Sequence, residues 1–170
     1  MEPLFIPVKT GEDIAALAAI ANEVWHQHFA SILSPEQIDY MVERFQSVPA
    51  VTGQLANEGY EYYFIRVGEK NIGYAGIKPE AGKLFLSKLY ILYPYRGNGF
   101  ASRAFEFMEG ICRERRLRSI WLTVNRYNTD TIAVYQKKGF KTIRTQVADI
   151  GNGFVMDDYI MEKTVEPLKD

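Results

Sequence analysis

The stretch Leu89-Tyr90-Ile91-Leu92-Tyr93-Pro94-Tyr95-Arg96-Gly97-Asn98-Gly99-Phe100-Ala101 constrains the fold more than any other. A strand pattern rich in Leu, Tyr and Phe, Leu84 to Leu92, runs into a loop with two glycines. From Gly97 to Arg115, Phe100, Ala104, Phe107, Met108 and Ile111 then recur at helical spacing. Strand, glycine loop and helix in direct succession belong to chains that mix helices with a sheet. The flanks agree. Leu4 to Val8 reads as a strand, and Thr10 with Asp13 can cap a helix carrying Ile14, Leu17, Ala18, Ala21 and Trp25. Ser34-Pro35 opens a second helix, and residues 49–57 form a short third helix or turn. Tyr62 to Val67 and Ile72 to Ile77, separated by Gly68-Glu69-Lys70-Asn71, predict a hairpin. Ile120 to Asn125 is a strand, and Thr129 to Lys138 a helix stopped by Gly139. Phe140 to Val147 and Phe154 to Met161 close the chain around Gly151-Asn152-Gly153. The expected class is α/β, an α+β mixed sheet flanked by helices.

With 170 residues, 47% of them hydrophobic, the chain has the apolar material for one domain with a true core. Within that single domain, early helices are expected over about 11–58, a core of strands and helices over about 60–147 and a closing strand over about 153–163. Its 20 Lys+Arg against 21 Asp+Glu exclude a strongly basic nucleic-acid binder and a disordered tail. One cysteine excludes an internal disulfide framework, and with two histidines it speaks against a zinc site. No metal, nucleic-acid or membrane partner is expected, no apolar run is long enough to span a bilayer, and Met1-Glu2-Pro3-Leu4 lacks signal-peptide regions, so the expected compartment is cytoplasmic. The charge is unevenly spread. Residues 1–60 hold two basic and eight acidic residues, residues 82–147 thirteen basic and four acidic, and residues 148–170 are net acidic again. Such a pattern suits one surface that meets an anion and another that meets a cation.

The anion surface starts at the glycine loop. A helix N-terminus carries backbone N–H groups without partners and the positive end of the macrodipole. Gly97 and Gly99 remove side chains that would keep a phosphate from those donors, and Arg96 adds a fixed charge. These residues specify an anion site suited to pyrophosphate, without saying which cofactor carries it. A Walker-type loop would need Gly-Lys-Ser/Thr after four spacers, which is absent. A dinucleotide fingerprint would need Gly or Ala where Ser102 stands and a carboxylate about twenty positions on, where Ile120-Trp121-Leu122-Thr123 lies.

The spacing Arg96-x-x-Gly99-x-Ala101 resembles the phosphate loop of the GNAT superfamily of N-acetyltransferases, which bind acyl-CoA. A second motif resembles the same family: Leu122-Thr123-Val124-Asn125, then Asn128, then Tyr135 seven residues on, then Gly139-Phe140. The resemblance covers about residues 60–163 and implies the GNAT fold with acetyl-CoA as cosubstrate. It implies that backbone groups of Leu89 and Ile91 meet the pantetheine arm. Arg96, Gly97, Asn98, Gly99, Phe100 and Ala101, with Ser102 and Arg103, would hold the pyrophosphate. Asn128 would hydrogen-bond pantetheine, Lys137 or Lys138 would reach the adenosine phosphate, and Tyr135 would protonate the departing thiolate. A neutral amine would attack the thioester directly, with backbone N–H groups stabilising the oxyanion. Many members place a Glu on the strand before the loop, but Ser87 stands there, beside Lys88. Deprotonation then runs through ordered water or another residue, with His26, His28 and Glu23 as candidates.

Several features have plainer readings. Cys112 lies four residues after Met108 and reads as core. Arg113-Glu114-Arg115-Arg116 sits where basic residues favour a helix C-terminus. His26 and His28 are two apart and do not share a helix face. For the acceptor, Glu12, Asp13, Glu23, Glu36, Asp39 and Glu43, together with Asp157-Asp158, would attract a polycation. Trp25, His28, Asp157 and Asp158 are the candidate acceptor-binding residues. Glu23-Val24-Trp25 to Phe29, Tyr90-Ile91 and Met156 to Lys163 also resemble the bacterial spermidine/spermine N-acetyltransferase branch. Protein N-terminal or lysine amines and small amine metabolites or drugs are alternative acceptors, and a non-catalytic acyl-CoA-binding module is an alternative class. Members of the family often form dimers, so a homodimer is a further expectation.

Overall fold

Each early helix begins where a hydroxyl can cap it. In the computed structural model, which describes residues 1–167, Thr10 caps α1 (Gly11–Phe29) in a full capping box with Asp13. Thr10 Oγ1 accepts the Asp13 N–H at 3.1 Å, and the Asp13 carboxylate accepts the Thr10 and Lys9 N–H groups at 3.0 and 2.9 Å. Those backbone donors hold the Asp13 carboxyl below its ordinary value. Ser34 caps α2 (Pro35–Gln46) and Ser47 caps α3 (Val48–Asn57), each followed by a proline in the first turn. After β1 (Leu4–Pro7) and these helices come β2 (Glu61–Val67), β3 (Lys70–Glu80) and β4 (Lys83–Ile91). Then follow α4 (Phe100–Arg115), β5 (Ser119–Asn125), α5 (Thr129–Lys137), β6 (Lys141–Gly151) and β7 (Phe154–Thr164). The seven strands form one mixed sheet in the order β1-β2-β3-β4-β5-β7-β6, the expected class.

The described chain divides into two compact units, and residues 168–170, part of the expected single domain, lie outside the described residues. The first unit joins Met1–Lys78 with Lys88–Met108. Its sheet is covered on both faces. Tyr62 of β2 reaches Gln46 and Gln54, at the end of α2 and within α3. Tyr63, pointing the other way, packs edge-on to Phe107 of α4, which also stacks on Phe5 of β1 at 4.4 Å. Double cover explains why Ile72 through Ile77 of β3 are all buried, an unbroken apolar run rather than an alternating one. Val67 pairs with Lys70, so the hairpin turns on Gly68-Glu69 alone rather than on four residues. Gly68, at φ 62°, supplies the tight turn that lets pairing begin at once.

The second unit contains Pro79–Ser87 and the chain from Glu109 onward. Here β5 pairs in parallel with β4, from Leu84 opposite Ile120 to Leu86 opposite Leu122, and antiparallel with β7 on its other side. On one face Phe85 stacks on Trp121 at 4.2 Å, and Lys83 pairs with Glu162 at 2.8 Å. Residues of opposite parity, Leu84, Leu86, Ile120, Leu122 and Met161, form the core with Ile111, Cys112 and Phe140. Cys112 is wholly buried, and burial pushes its thiol up to about 11, which suits a packing residue. β6 is one edge of the sheet, exposed along Lys141 to Val147, and carries two register shifts. Such irregularities discourage edge-to-edge pairing.

Candidate active site

In the first unit, β4 ends at Ile91 and a single 3-10 turn, Tyr93–Tyr95, precedes the glycine loop. Sequence reading placed the helix start at Gly97, but α4 begins at Phe100. The reason is conformational: Gly97 and Gly99 stand at φ 78° and 82°, outside the helical region and costly for residues with a Cβ. The space is open, since a Cβ at either position would meet nothing within 4 Å. The glycines are therefore required by backbone conformation and not by crowding, and they leave the approach to the helix N-terminus clear. Arg96 is braced from below, its Nε–H donating to the Ile91 carbonyl at 2.9 Å while its guanidinium lies 5.6 Å from the Tyr93 ring centre. The Asn98 amide nitrogen donates back to the carbonyls of Tyr95 and Arg96 at 3.1 and 3.2 Å, tying the loop to its own entrance. Arg103, one turn into α4, is shared by Glu2 and Glu106 at 2.8 and 3.4 Å.

Around Tyr90 of β4 the same unit gathers an aromatic cluster of Trp25, His28, Phe29 and Tyr74, with ring centres 5.4 to 6.5 Å from that of Tyr90. A buried polar chain fixes it from behind. Trp25 Nε1–H donates to the Tyr74 hydroxyl at 2.9 Å, which donates to Gln46 Oε1 at 2.7 Å; the Gln46 amide donates to Tyr62 at 3.1 Å. Two ionisable groups adjoin the cluster. Burial, with the Arg96 charge second, depresses His28 to about 4, so its imidazole is neutral at pH 7. Burial lowers Lys88, whose Nζ lies 5.9 Å from the Trp25 ring centre, to about 8. His26 goes the other way. Its two nitrogens meet the Asn22 carbonyl at 2.7 Å and Asp39 at 2.5 Å, and these acceptors raise its value. Asp39, one of the carboxylates expected to draw a cation, is thus engaged with His26, and Asp13 is engaged in its cap.

In the second unit, Asn125 and Asn128 build the bridge from β5 to α5. Asn125 Oδ1 accepts the Tyr127 N–H at 3.0 Å, and Asn128 Oδ1 caps α5 by accepting the Thr131 N–H at 3.4 Å. Tyr135, two turns along α5, has its ring centre 5.7 Å from that of Phe140. Desolvation lifts its phenol to about 12, so it remains protonated throughout the physiological range. Asp157 and Asp158 do not share a face. As neighbours on β7 they face opposite sides of the sheet. Asp157 lies 3.1 Å from Arg126, whereas Asp158 is 8% exposed and Oδ1 has no hydrogen-bond partner among the described residues. Burial, and then the neighbouring Asp157 charge, lift Asp158 to about 6. Sequence reading counted it with Asp157 as a candidate acceptor-binding pair, and no local pattern marks it as buried. No group of three or more His, Cys, Asp or Glu among the described residues is placed to hold a metal. No helix among them is long and apolar enough to cross a membrane.

The model of the acetyltransferase (GNAT) family matches residues 16–140. The chain belongs to this family. Among its relatives is the spermidine N(1)-acetyltransferase of Thermoplasma acidophilum, 25% identical over 159 residues that cover 91% of this chain and 93% of that one. An uncharacterised N-acetyltransferase of Lactobacillus delbrueckii subsp. lactis is 22% identical over 162 residues, with the same coverage. Among solved structures, the PaiA N-acetyltransferase of Thermoplasma acidophilum in complex with coenzyme A superposes with a TM-score of 0.79 at 24% identity, over 96% of this chain and 99% of that one. In this chain the glycine loop lies between β4 and α4, Asn128 caps α5 and Tyr135 lies within it.

Proposed function

We propose that this protein transfers the acetyl group of acetyl-CoA to a primary amine, and that a polyamine such as spermidine is its acceptor. The observation that carries the donor half is the glycine loop: two positive-φ glycines, nothing crowding them, and an Arg96 braced by the Ile91 carbonyl ahead of α4. This cradle suits a pyrophosphate, and a structural neighbour holds coenzyme A. Arg96 through Ala101, with Ser102, grip the pyrophosphate, mainly by backbone N–H groups. Leu89 and Ile91 meet pantetheine as a neighbouring strand would, and Asn128 donates to it from its amide nitrogen. Bound acetyl-CoA supplies the activated carbonyl. Tyr135, held protonated by burial, delivers a proton to the departing sulfur.

The polyamine reading draws support from the spermidine-acetylating relative and from exposed carboxylates on the first helices, Glu23, Glu36 and Glu43. Trp25 and His28, in the aromatic cluster, are proposed to pack against the acceptor's methylene chain. The neutral His28 there adds no opposing charge at pH 7. The test is CoA thiol release from acetyl-CoA with spermidine, spermine, lysine-containing and N-terminal peptides, and an aminoglycoside. Fast release with the polyamines alone supports the reading, and release with peptides alone overturns its acceptor half. Tight acetyl-CoA binding with no release would replace the enzyme by an acyl-CoA-binding module.

A further inference from the structure

An amine with an ordinary pKa near 10 arrives protonated and must lose a proton before it can attack. The strand position at which many family members carry a Glu holds Ser87 here. Three side chains that could substitute are poorly suited. Burial removes the basicity of His28 by depressing it to about 4, His26 is bound to Asp39, and Glu23 lies exposed on α1.

Asp158 is different in kind. It is 8% exposed, and Oδ1 finds no hydrogen-bond partner among the described residues. A buried carboxylate in that condition is costly unless a donor reaches it. The protein spends its nearby cation elsewhere: Arg126 sits 3.1 Å from Asp157 and 5.4 Å from the Tyr159 ring centre. Across the sheet, Asp158 stands opposite Asn125 on β5 and Gln146 on β6, two uncharged residues, and Asn125 Oδ1 is turned to the Tyr127 N–H. The neighbouring charge that acts on it is Asp157 on its own strand, and Arg126 faces Asp157. The position also matters. Asn125 is the last residue of β5, and three residues later Asn128 caps the helix that carries Tyr135.

We propose that Asp158 receives the ammonium group of the acceptor and takes one of its protons, generating the neutral amine. This rests on the acetyl-transfer reading above and assigns its missing base. The ammonium N–H bond breaks and the proton passes to the Asp158 carboxylate. The amine nitrogen then bonds to the thioester carbon as the C–S bond breaks, and the thiolate takes the Tyr135 proton. The second amine proton restores Tyr135, and Asp158 releases its proton to water. The raised value of about 6 makes Asp158 a stronger base than an ordinary carboxylate yet leaves it ionised at pH 7.

The experiment is the pH dependence of kcat/KM, from pH 5 to 9, for the amine transferred fastest in the panel, in the wild-type chain and in Asp158→Asn. The wild type is expected to lose activity below a pH near 6. Asp158→Asn is expected to lose that limb and about 100-fold or more in kcat/KM at pH 8, with acetyl-CoA affinity changed less than twofold. An unchanged limb with a rate within threefold of wild type overturns the proposal. A second readout does not depend on any variant folding: carbon-13 carboxyl NMR of the wild type. Asp158 should titrate near 6 and shift when the amine binds; titration near 4 with no response to the amine overturns the assignment. If the wild type acetylates no amine, the acetyl-transfer reading falls and takes this one with it, a result distinct from an active enzyme indifferent to Asp158.

Discussion

The glycine loop after β4 and the closing hairpin β6–β7 treat their polar groups in opposite ways. In the loop every anchor is local. Arg96 reaches Ile91, Asn98 reaches Tyr95 and Arg96, and the two glycines set the backbone, all within a dozen residues. In the hairpin the decisive groups are brought together by register, Asn125 with Asp158 and Arg126 with Asp157, more than thirty residues apart in the chain. The proposed role of the loop is to meet an anion at the N-terminus of α4. Its counterpart in the hairpin is an unpaired acceptor, which a cation would satisfy. Under the proposed reading, donor binding would rest on a local motif and acceptor binding on a tertiary one.

This division can be broken at four places. Tyr135→Phe should lower kcat by about 100- to 10,000-fold, the usual range for a lost general acid, while acetyl-CoA binding by calorimetry stays near wild type. An unchanged rate would remove the acid from α5 altogether. Arg96→Ala should weaken acetyl-CoA binding by roughly 10- to 100-fold, as loss of charge-assisted hydrogen bonds to an anion does, and leave the pH profile for the amine unmoved.

Asp158→Asn should stabilise the fold at pH 7.5 by about 1–3 kcal/mol, read as a higher midpoint in urea. The sign follows from the raised value: the folded state holds the Asp158 proton up to a pH near 6, the unfolded chain releases it near 3.8. The wild-type fold therefore loses stability as pH rises through that window, and the advantage of Asn should vanish below pH 4. A destabilised Asp158→Asn at pH 7.5 would mean that the carboxylate is paired. Asp157→Asn marks the other side of the strand. Its ion pair with Arg126 is partly exposed, with 27% and 34% of the two side chains accessible, so its loss should cost under about 1 kcal/mol.

Most elements could be read from the chain because their signals are short-range. Thr10 with Asp13, Ser34-Pro35 and Gly139 each mark an end within one turn. The helix start at Gly97 was misplaced by three residues because apolar spacing says nothing about φ; only the positive dihedrals of Gly97 and Gly99 do. Asn128 and Tyr135 stand out only through the family resemblance; the structure sets Asn128 as the cap of α5 and Tyr135 within it. Asp158 could not be read as a buried group, since two adjacent Asp look identical until strand register gives one an arginine and the other an uncharged asparagine. His26 and His28 show the same limit: two residues apart on α1, one is raised by Asn22 and Asp39 and the other depressed by burial and Arg96.

The division of labour is tested most directly by one set of steady-state measurements, varying acetyl-CoA and the amine independently in wild type, Arg96→Ala and Asp158→Asn at pH 8. Arg96→Ala should raise KM for acetyl-CoA with little change in kcat at saturation. Asp158→Asn should depress kcat/KM for the amine with KM for acetyl-CoA unmoved. Both variants shifting both substrates alike, or Asp158→Asn affecting only acetyl-CoA, would contradict the account.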